Sequence, residues 1–256
     1  MKILVLADIH SNWAALSSID EEFDACFVLG DIVDYGCDPL PCIDWTQEHA
    51  TAAVRGNHDH AVAQRVTPRG GGGYRRLAAE TRPINWELVD SFRTKFLARL
   101  PLTLSVTLDG KRYFLVHGSP RDPLDEYLPV EADAWRARLE GIDADFICTG
   151  HTHVPMDLDV DGRRVINPGS VGQPRDGDPR ASYAIIEDGN VSFHRVAYNI
   201  NAAVEQMRTA GLAEWAVELN EAVLRSGGRL SREDMDRVGI AWSPSQGTLD
   251  DDLMGL

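Results

Sequence analysis

Five histidines, four aspartates and one asparagine carry the chemistry open to this sequence, and they come in short clusters. Asp8 and His10 stand two residues apart, and Asp31 and Asp34 follow Gly30. Asn57 and His58 lie in Gly56-Asn57-His58-Asp59, His117 precedes Gly118, and His151 and His153 flank Thr152. Carboxylates, imidazoles and one amide oxygen make a mixed nitrogen and oxygen donor set. Such a set suits borderline divalent metals such as Mn, Fe, Co, Ni or Zn, and does not suit a thiolate site. His58 is also of a type that moves a proton near neutral pH. Taken singly, each cluster reads equally well as a polar turn, and Asp59 as a helix cap. Their placement argues otherwise. Of eight histidines, five fall in these clusters, whereas His49, His60 and His194 read as surface or structural residues.

Each cluster follows a short apolar run, at residues 3–7, 25–29, 52–54, 113–116 and 146–149. Short continuous runs fit strands buried on both faces, as in parallel sheets. Open α/β sheets collect their ligands at the C-terminal ends of such strands. A sheet brings those ends to one edge, so the clusters are expected to meet there, the Gly56 tetrad lying in a loop. Helical patterns over 12–19, 39–49, 86–100 and 131–139 alternate with the runs, as in α/β proteins. Asp109-Gly110, Asp161-Gly162 and Asp188-Gly189 each separate two strand-like segments, which is a hairpin signature. Crossovers and hairpins together predict an α/β fold: two packed mixed β-sheets flanked by helices, an αββα four-layer sandwich.

The chain has 256 residues, 43% apolar and 25% charged, an ordinary globular composition with room for a full core. The pattern divides into a main domain over 1–200, a helical extension over 201–242 packed on that domain, and a flexible tail over 243–256. The glycine run at 69–73 lacks phosphate-loop spacing and reads as a surface connection. A net charge of −15 argues against generic nucleic-acid binding. It also means that an anionic substrate needs local positive charge, such as bound metal ions. No apolar run approaches the roughly 18–20 residues of a membrane span. Met1-Lys2 leads straight into a strand-like run rather than a signal peptide, so a cytoplasmic protein with no membrane partner is expected. Cys26, Cys37, Cys42 and Cys148 show no C-x-x-C spacing and read as buried reduced thiols.

In order and style, Asp8-x-His10, Gly30-Asp31-x-x-Asp34, Gly56-Asn57-His58-Asp59, His117 and Gly150-His151-Thr152-His153 resemble the calcineurin-like metallophosphoesterases. The likeness is to their small bacterial and archaeal phosphodiesterase-type branch. It includes Asn167-Pro168-Gly169-Ser170-Val171-Gly172. The resemblance implies two divalent metal ions per chain, Mn first, with Fe, Ni, Co, Zn or Mg as alternatives. Asp8, His10, Asp31 and His153 would hold one ion. Asp31, Asn57, His117 and His151 would hold the other, with Asp31 bridging. His58 would be no ligand but would sit beside the leaving group, its imidazole oriented by Asp34.

The implied reaction is hydrolysis of a phosphodiester or phosphomonoester of a small organic phosphate. A metal-activated hydroxide attacks and His58 protonates the leaving group. The partner is then a small phosphorylated substrate, and the oligomeric state stays open. Tyr35 stands where the serine/threonine protein phosphatases of this family usually carry arginine, so neither protein phosphatase nor symmetric dinucleoside tetraphosphatase activity is implied. Arg121 and Arg175 are candidates to contact the substrate phosphate, with a surface salt bridge as the alternative for each. Two other functions compete. A non-catalytic binding module on the same fold would show decayed motifs, and these are intact. A nuclease would sit poorly with the acidic balance.

Overall fold

The computed structural model describes residues 1–68 and 73–237. Strands β1 (Lys2–Leu6), β2 (Ala25–Val28) and β3 (Ala52–Ala53) form where the first three apolar runs lie, and they pair in parallel. The hairpin of β9 (Ala181–Glu187) and β10 (Asn190–Val196) adds antiparallel to β1, completing a sheet of order β10-β9-β1-β2-β3. The second sheet contains β4 (Thr103–Leu108), β5 (Lys111–Val116), β6 (Phe146–Cys148), β7 (Pro155–Val160) and β8 (Arg163–Pro168). Its order is β4-β5-β6-β8-β7, with β5, β6 and β8 parallel. The three Asp-Gly pairs are the hairpin turns. Both residues of each have positive φ, 50° and 71° at Asp109-Gly110 for example, as a tight twist-matched turn demands.

Alternation along β1 separates two cores. Ile3 and Val5 face the second sheet and pack with Phe27, Tyr113, Leu115, Phe146, Cys148 and Ile166. Leu4 and Leu6 face the other way, against α1 (Trp13–Leu16), α2 (Pro39–His49) and α5 (Ser91–Arg99). The outer face of the second sheet lies under Trp135 of α6 (Ala132–Arg136) and Leu139. Two five-stranded mixed sheets packed together and flanked by helices are the architecture expected.

Three local expectations need correction. The helical pattern over 86–100 is two helices, α4 (Gly73–Leu88) and α5. The Asp90 carboxylate accepts from Phe92 N and Arg93 N at 2.8 and 2.9 Å and so starts a new helix within one apolar period. Most of α4 escapes the sequence pattern because Pro83, which lacks an N–H and normally breaks a helix, lies inside it. Packing holds it: Tyr74, Leu77 and Ala78 lie against α7 (Ile200–Thr209) and α8 (Glu214–Ser226). The tetrad is not a loop either, since Gly56 is the N-cap of α3 (Asn57–Ala63).

Beyond β10, α7 and α8 follow, and α8 ends at Gly227 in the left-handed conformation. A last helix, α9 (Arg232–Arg237), starts beyond Ser231, whose hydroxyl accepts from Asp234 N at 3.1 Å. Within α8, Asn220 is buried and donates from Nδ2 to the Tyr35 carbonyl at 2.7 Å, so these helices support the loop carrying Asp34. All four cysteines are buried and free. No helix among the described residues is long and apolar enough to cross a membrane. Residues 69–72 of the glycine run and the tail over 243–256 lie outside the described residues.

Candidate metal centre

The C-terminal ends of β1, β2, β5 and β6 deliver their clusters to one point. Asp8, His10, Asp31 and His153 form one group, and Asp31, His117 and His151 another, with the donor atoms of each group within 4.8 Å of one another. All six residues are buried. Five of them, Asp8, His10, Asp31, His151 and His153, have φ between 51° and 70°. For a non-glycine residue that conformation costs on the order of 1 kcal/mol. Backbone bonds hold it in place: Asp8 N to Gly30 O (3.1 Å), His10 N to Asp31 O (2.9 Å) and Gly172 N to Asp8 O (3.0 Å). Gly56 admits Asp31 to the group, because a Cβ there would lie 2.1 Å from Asp31 Oδ1.

The tautomers show what the two groups want. His10 Nδ1 lies 3.2 Å from Val33 O and His153 Nδ1 lies 2.6 Å from Gln173 O. A carbonyl can only accept, so both Nδ1 atoms carry the proton. Burial pushes His10 down to about 3 and His153 well below its ordinary value, so both rings are neutral and both Nε2 atoms are bare lone pairs. Those lone pairs face each other at 3.1 Å. Asp8 Oδ1 lies 3.5 Å from one and Asp31 Oδ2 lies 3.8 Å from the other. Four electron-rich atoms converge, and burial together with the Asp31 charge pushes the Asp8 carboxyl up to about 8, an arrangement that a cation relieves.

The second group repeats the pattern. His117 donates from Nδ1 to Leu29 O at 2.8 Å, a bond that also ties the two sheets together. Its Nε2 then faces Asp31 Oδ2, Asn57 Oδ1 and His151 Nδ1 at 3.2, 3.2 and 3.1 Å. Burial disfavours charge on His117, but Asp31 outweighs it and lifts the ring to about 9. A proton there does the work that a metal ion would do, and metal binding to such sites releases protons. Asp31 has one oxygen for each task. Oδ1 accepts His58 N at 2.8 Å, leaving Oδ2 between His10 and His117. The donor set fits two divalent ions sharing Asp31.

His58 stands apart from both groups. It keeps 8% exposure, against 3% or less for His10, His117, His151 and His153. Its Nδ1 donates to Asp34 Oδ2 at 2.8 Å. Asp34 in turn accepts Arg82 Nε (2.8 Å) on that oxygen, with Thr81 Oγ1 (2.8 Å) and Tyr35 N (2.9 Å) on the other. Burial opposes its charge, but His58 and Arg82 hold it well below the carboxylate range. Thr81, Arg82 and Asn85 were not foreseen. They share one face of α4, and the Asn85 side chain accepts from Asp34 N and Ser11 Oγ.

Breaking a buried charge pair by removing one partner costs about 3–5 kcal/mol. Arg82→Ala is expected near the low end, about 3 kcal/mol by urea unfolding, because His58 still answers Asp34. Arg82→Lys restores the charge but not the fork that also reaches Val66 O at 3.0 Å, so its loss should be intermediate.

The remaining residues divide. Asp59 caps α3 at Gly56 N (3.0 Å) and also accepts Asp31 N, Ile32 N and Val33 N, so it shapes the loop that presents Asp31. Arg175 is buried at 4% exposure, its guanidinium 4.0 Å over the Tyr74 ring and 5.9 Å over that of Tyr35. Its charge acts on Asp8, His10, His151 and His153. Arg121 lies at the surface. Its side chain is 57% exposed, donates to the Glu140 carbonyl and lies 4.0 Å from the Glu140 carboxylate, so the surface pairing describes it. His49, His60 and His194 belong to neither metal-type group.

Residues 1–190 match the family described as the calcineurin-like phosphoesterase superfamily domain. An uncharacterised protein of Methanocaldococcus jannaschii is 33% identical over 243 residues, covering 84% of this chain and 96% of that protein. Phosphodiesterase YfcE of Escherichia coli K12 is 26% identical over 215 residues, covering 81% of this chain and 97% of YfcE. Among solved structures, a metallophosphoesterase from Sphaerobacter thermophilus has a TM-score of 0.73 at 36% identity, over 89% of this chain and 100% of that one. Motifs, ligand geometry and these likenesses agree, and the chain belongs to the calcineurin-like phosphoesterase superfamily.

Proposed function

We propose that this protein hydrolyses a phosphate ester of a small organic molecule at two divalent metal ions, Mn first among them. The observation that carries the reading is the pair of lone-pair clusters sharing Asp31 Oδ2, with a more exposed imidazole beside them. Asp8, His10, Asp31 and His153 would hold one ion, and Asp31, Asn57, His117 and His151 the other. Ions bound there supply a water nucleophile at neutral pH and offset charge on the phosphoryl oxygens.

The chain's own residues do the rest. Asp34 accepts a hydrogen bond from His58 Nδ1 and orients the ring, which acts as the imidazolium with its second N–H, on Nε2, for the departing alkoxide. His58 Nε2 carries the proton delivered to that oxygen. Arg175 contributes fixed positive charge on the same side as Asp8 and His153. The likeness to a protein named as a phosphodiesterase supports diesters as the first substrates to try.

The test is direct. Metal-stripped protein is given Mn²⁺, Ni²⁺ or Mg²⁺ and assayed on bis-p-nitrophenyl phosphate and on p-nitrophenyl phosphate. Metal-dependent release of p-nitrophenol is expected, faster from the diester. Folded protein that releases none with any of the metals would overturn the proposal.

A further inference from the structure

Gln173 is joined to the metal-type cluster in two ways. Its carbonyl accepts His153 Nδ1 at 2.6 Å, its N–H donates to Ser170 Oγ at 2.8 Å, and that hydroxyl donates to Asp8 O at 2.7 Å. Its side chain is used at one end only. Oε1 accepts Arg175 Nη2 at 3.0 Å, which fixes the amide's orientation, and Nε2 is buried with no hydrogen-bond partner. Gln173 as a whole is 1% exposed. An amide donor left unsatisfied in such a place costs about 1–3 kcal/mol, and native structures rarely keep one without a reason.

His151, which turns Nδ1 toward His117, also has a buried Nε2 without a partner. The Tyr127 ring lies 3.9 Å from that of His151, and the Arg175 charge acts on the Tyr127 phenol. The Arg175 guanidinium lies 4.0 Å over the Tyr74 ring. A planar guanidinium, a phenol and a primary amide thus adjoin residues of the two metal-type clusters, and this donor chemistry suits an oxyanion.

We infer that Gln173, Arg175 and Tyr127 form an oxyanion subsite for the phosphoryl group of the substrate and for inorganic phosphate. The Gln173 amide N–H2 is the donor that the anion satisfies. The inference rests on the phosphoester reading above and adds the residues that would discriminate the phosphoryl group independently of the metal ligands. It also answers the chain's net charge of −15: fixed donors at the site offset a surface that repels anions.

The experiment is titration calorimetry of inorganic phosphate into metal-loaded wild type, Gln173→Leu and Gln173→Glu, with metal content measured on each sample. Gln173→Leu keeps the volume and removes the donor, and its phosphate Kd should rise about tenfold. That factor lies within the range set by about 1–3 kcal/mol for one hydrogen bond. Gln173→Glu places a carboxylate beside the anion and should lose more. Two ions per chain should be retained in both. In parallel, inorganic phosphate should raise the Tm of metal-free wild type more than that of metal-free Gln173→Leu.

Folded variants that keep their ions and bind phosphate as wild type does would overturn the subsite. So would failure of metal-loaded wild type to bind millimolar phosphate. Phosphate binding lost as expected in the variants, with no ester hydrolysed by wild type under any metal, would uphold the subsite and sink the hydrolase reading alone.

Discussion

Asp31→Asn is expected to lose both metal ions, although it changes one atom. Asp31 is common to the two clusters, and its oxygens have separate duties. The His58 N–H occupies Oδ1 at 2.8 Å and needs an acceptor, so the amide of an asparagine must turn its oxygen that way. The N–H2 then replaces Oδ2 and faces Nε2 of His10 and of His117, which lie 3.8 and 3.2 Å from that position in the wild type. Two donors would fill the point where two cations are proposed to share an anion. Metal content by elemental analysis should fall from two per chain toward zero. A metal ion that both generates the nucleophile and neutralises the phosphoryl group contributes several kcal/mol, so hydrolysis should fall about 10³-fold or more. If Asp31→Asn keeps two ions, Asp31 is not the bridge.

How far the site could be read in advance depended on the kind of residue. The metal-type donors stood out because each cluster closes a short apolar run, and strands at period two and turns with Asp-Gly leave local marks. Arg82, Asn220 and Gln173 left none. Arg82 meets Asp34 across 48 residues and Asn220 meets Tyr35 across 185. Each is one polar residue, on α4 and α8 respectively, and nothing nearby in sequence tells a bonded side chain from a solvated one. Arg121 and Arg175 had equal claims as phosphate contacts in the sequence, and their packing differs. Arg121 lies on an exposed turn beside Glu140, whereas Arg175 is roofed by Tyr74 and Tyr35. Those aromatic neighbours come from α4 and from the loop after β2, which only the tertiary fold brings to residue 175.

The helix that evaded the pattern is also the one that supports His58, the proposed proton donor, through Asp34. Pro83 and the adjoining glycine run argue locally for a break, and burial of Leu77 and Ala78 against α7 and α8 overrides them. Once formed, α4 sets Thr81, Arg82 and Asn85 around the loop of Asp34. The C-terminal helices thus reach the candidate centre by way of α4, and Asn220 reaches it directly through the Tyr35 carbonyl.

His58→Ala separates proton donation from metal binding, and its expected signature is selective. The backbone N–H of residue 58 bonds Asp31 Oδ1 whatever its side chain, and the imidazole belongs to neither cluster, so two ions per chain should remain. A positioned general acid contributes typically about 10²–10⁴ in rate, but only where the leaving oxygen needs a proton. An alkyl ester departs as a strongly basic alkoxide and should lose that full factor. A p-nitrophenyl ester departs as a stable phenolate and should lose much less. The comparison therefore runs over a series of esters of rising leaving-group basicity, with wild type and His58→Ala measured side by side. Asp34→Asn should follow the same trend, since its carboxylate holds the ring at 2.8 Å through Nδ1. A uniform loss across the series would assign His58 to substrate binding, and loss of one ion per chain would make it a ligand. A gap that widens with leaving-group basicity is what proton donation from Nε2 requires.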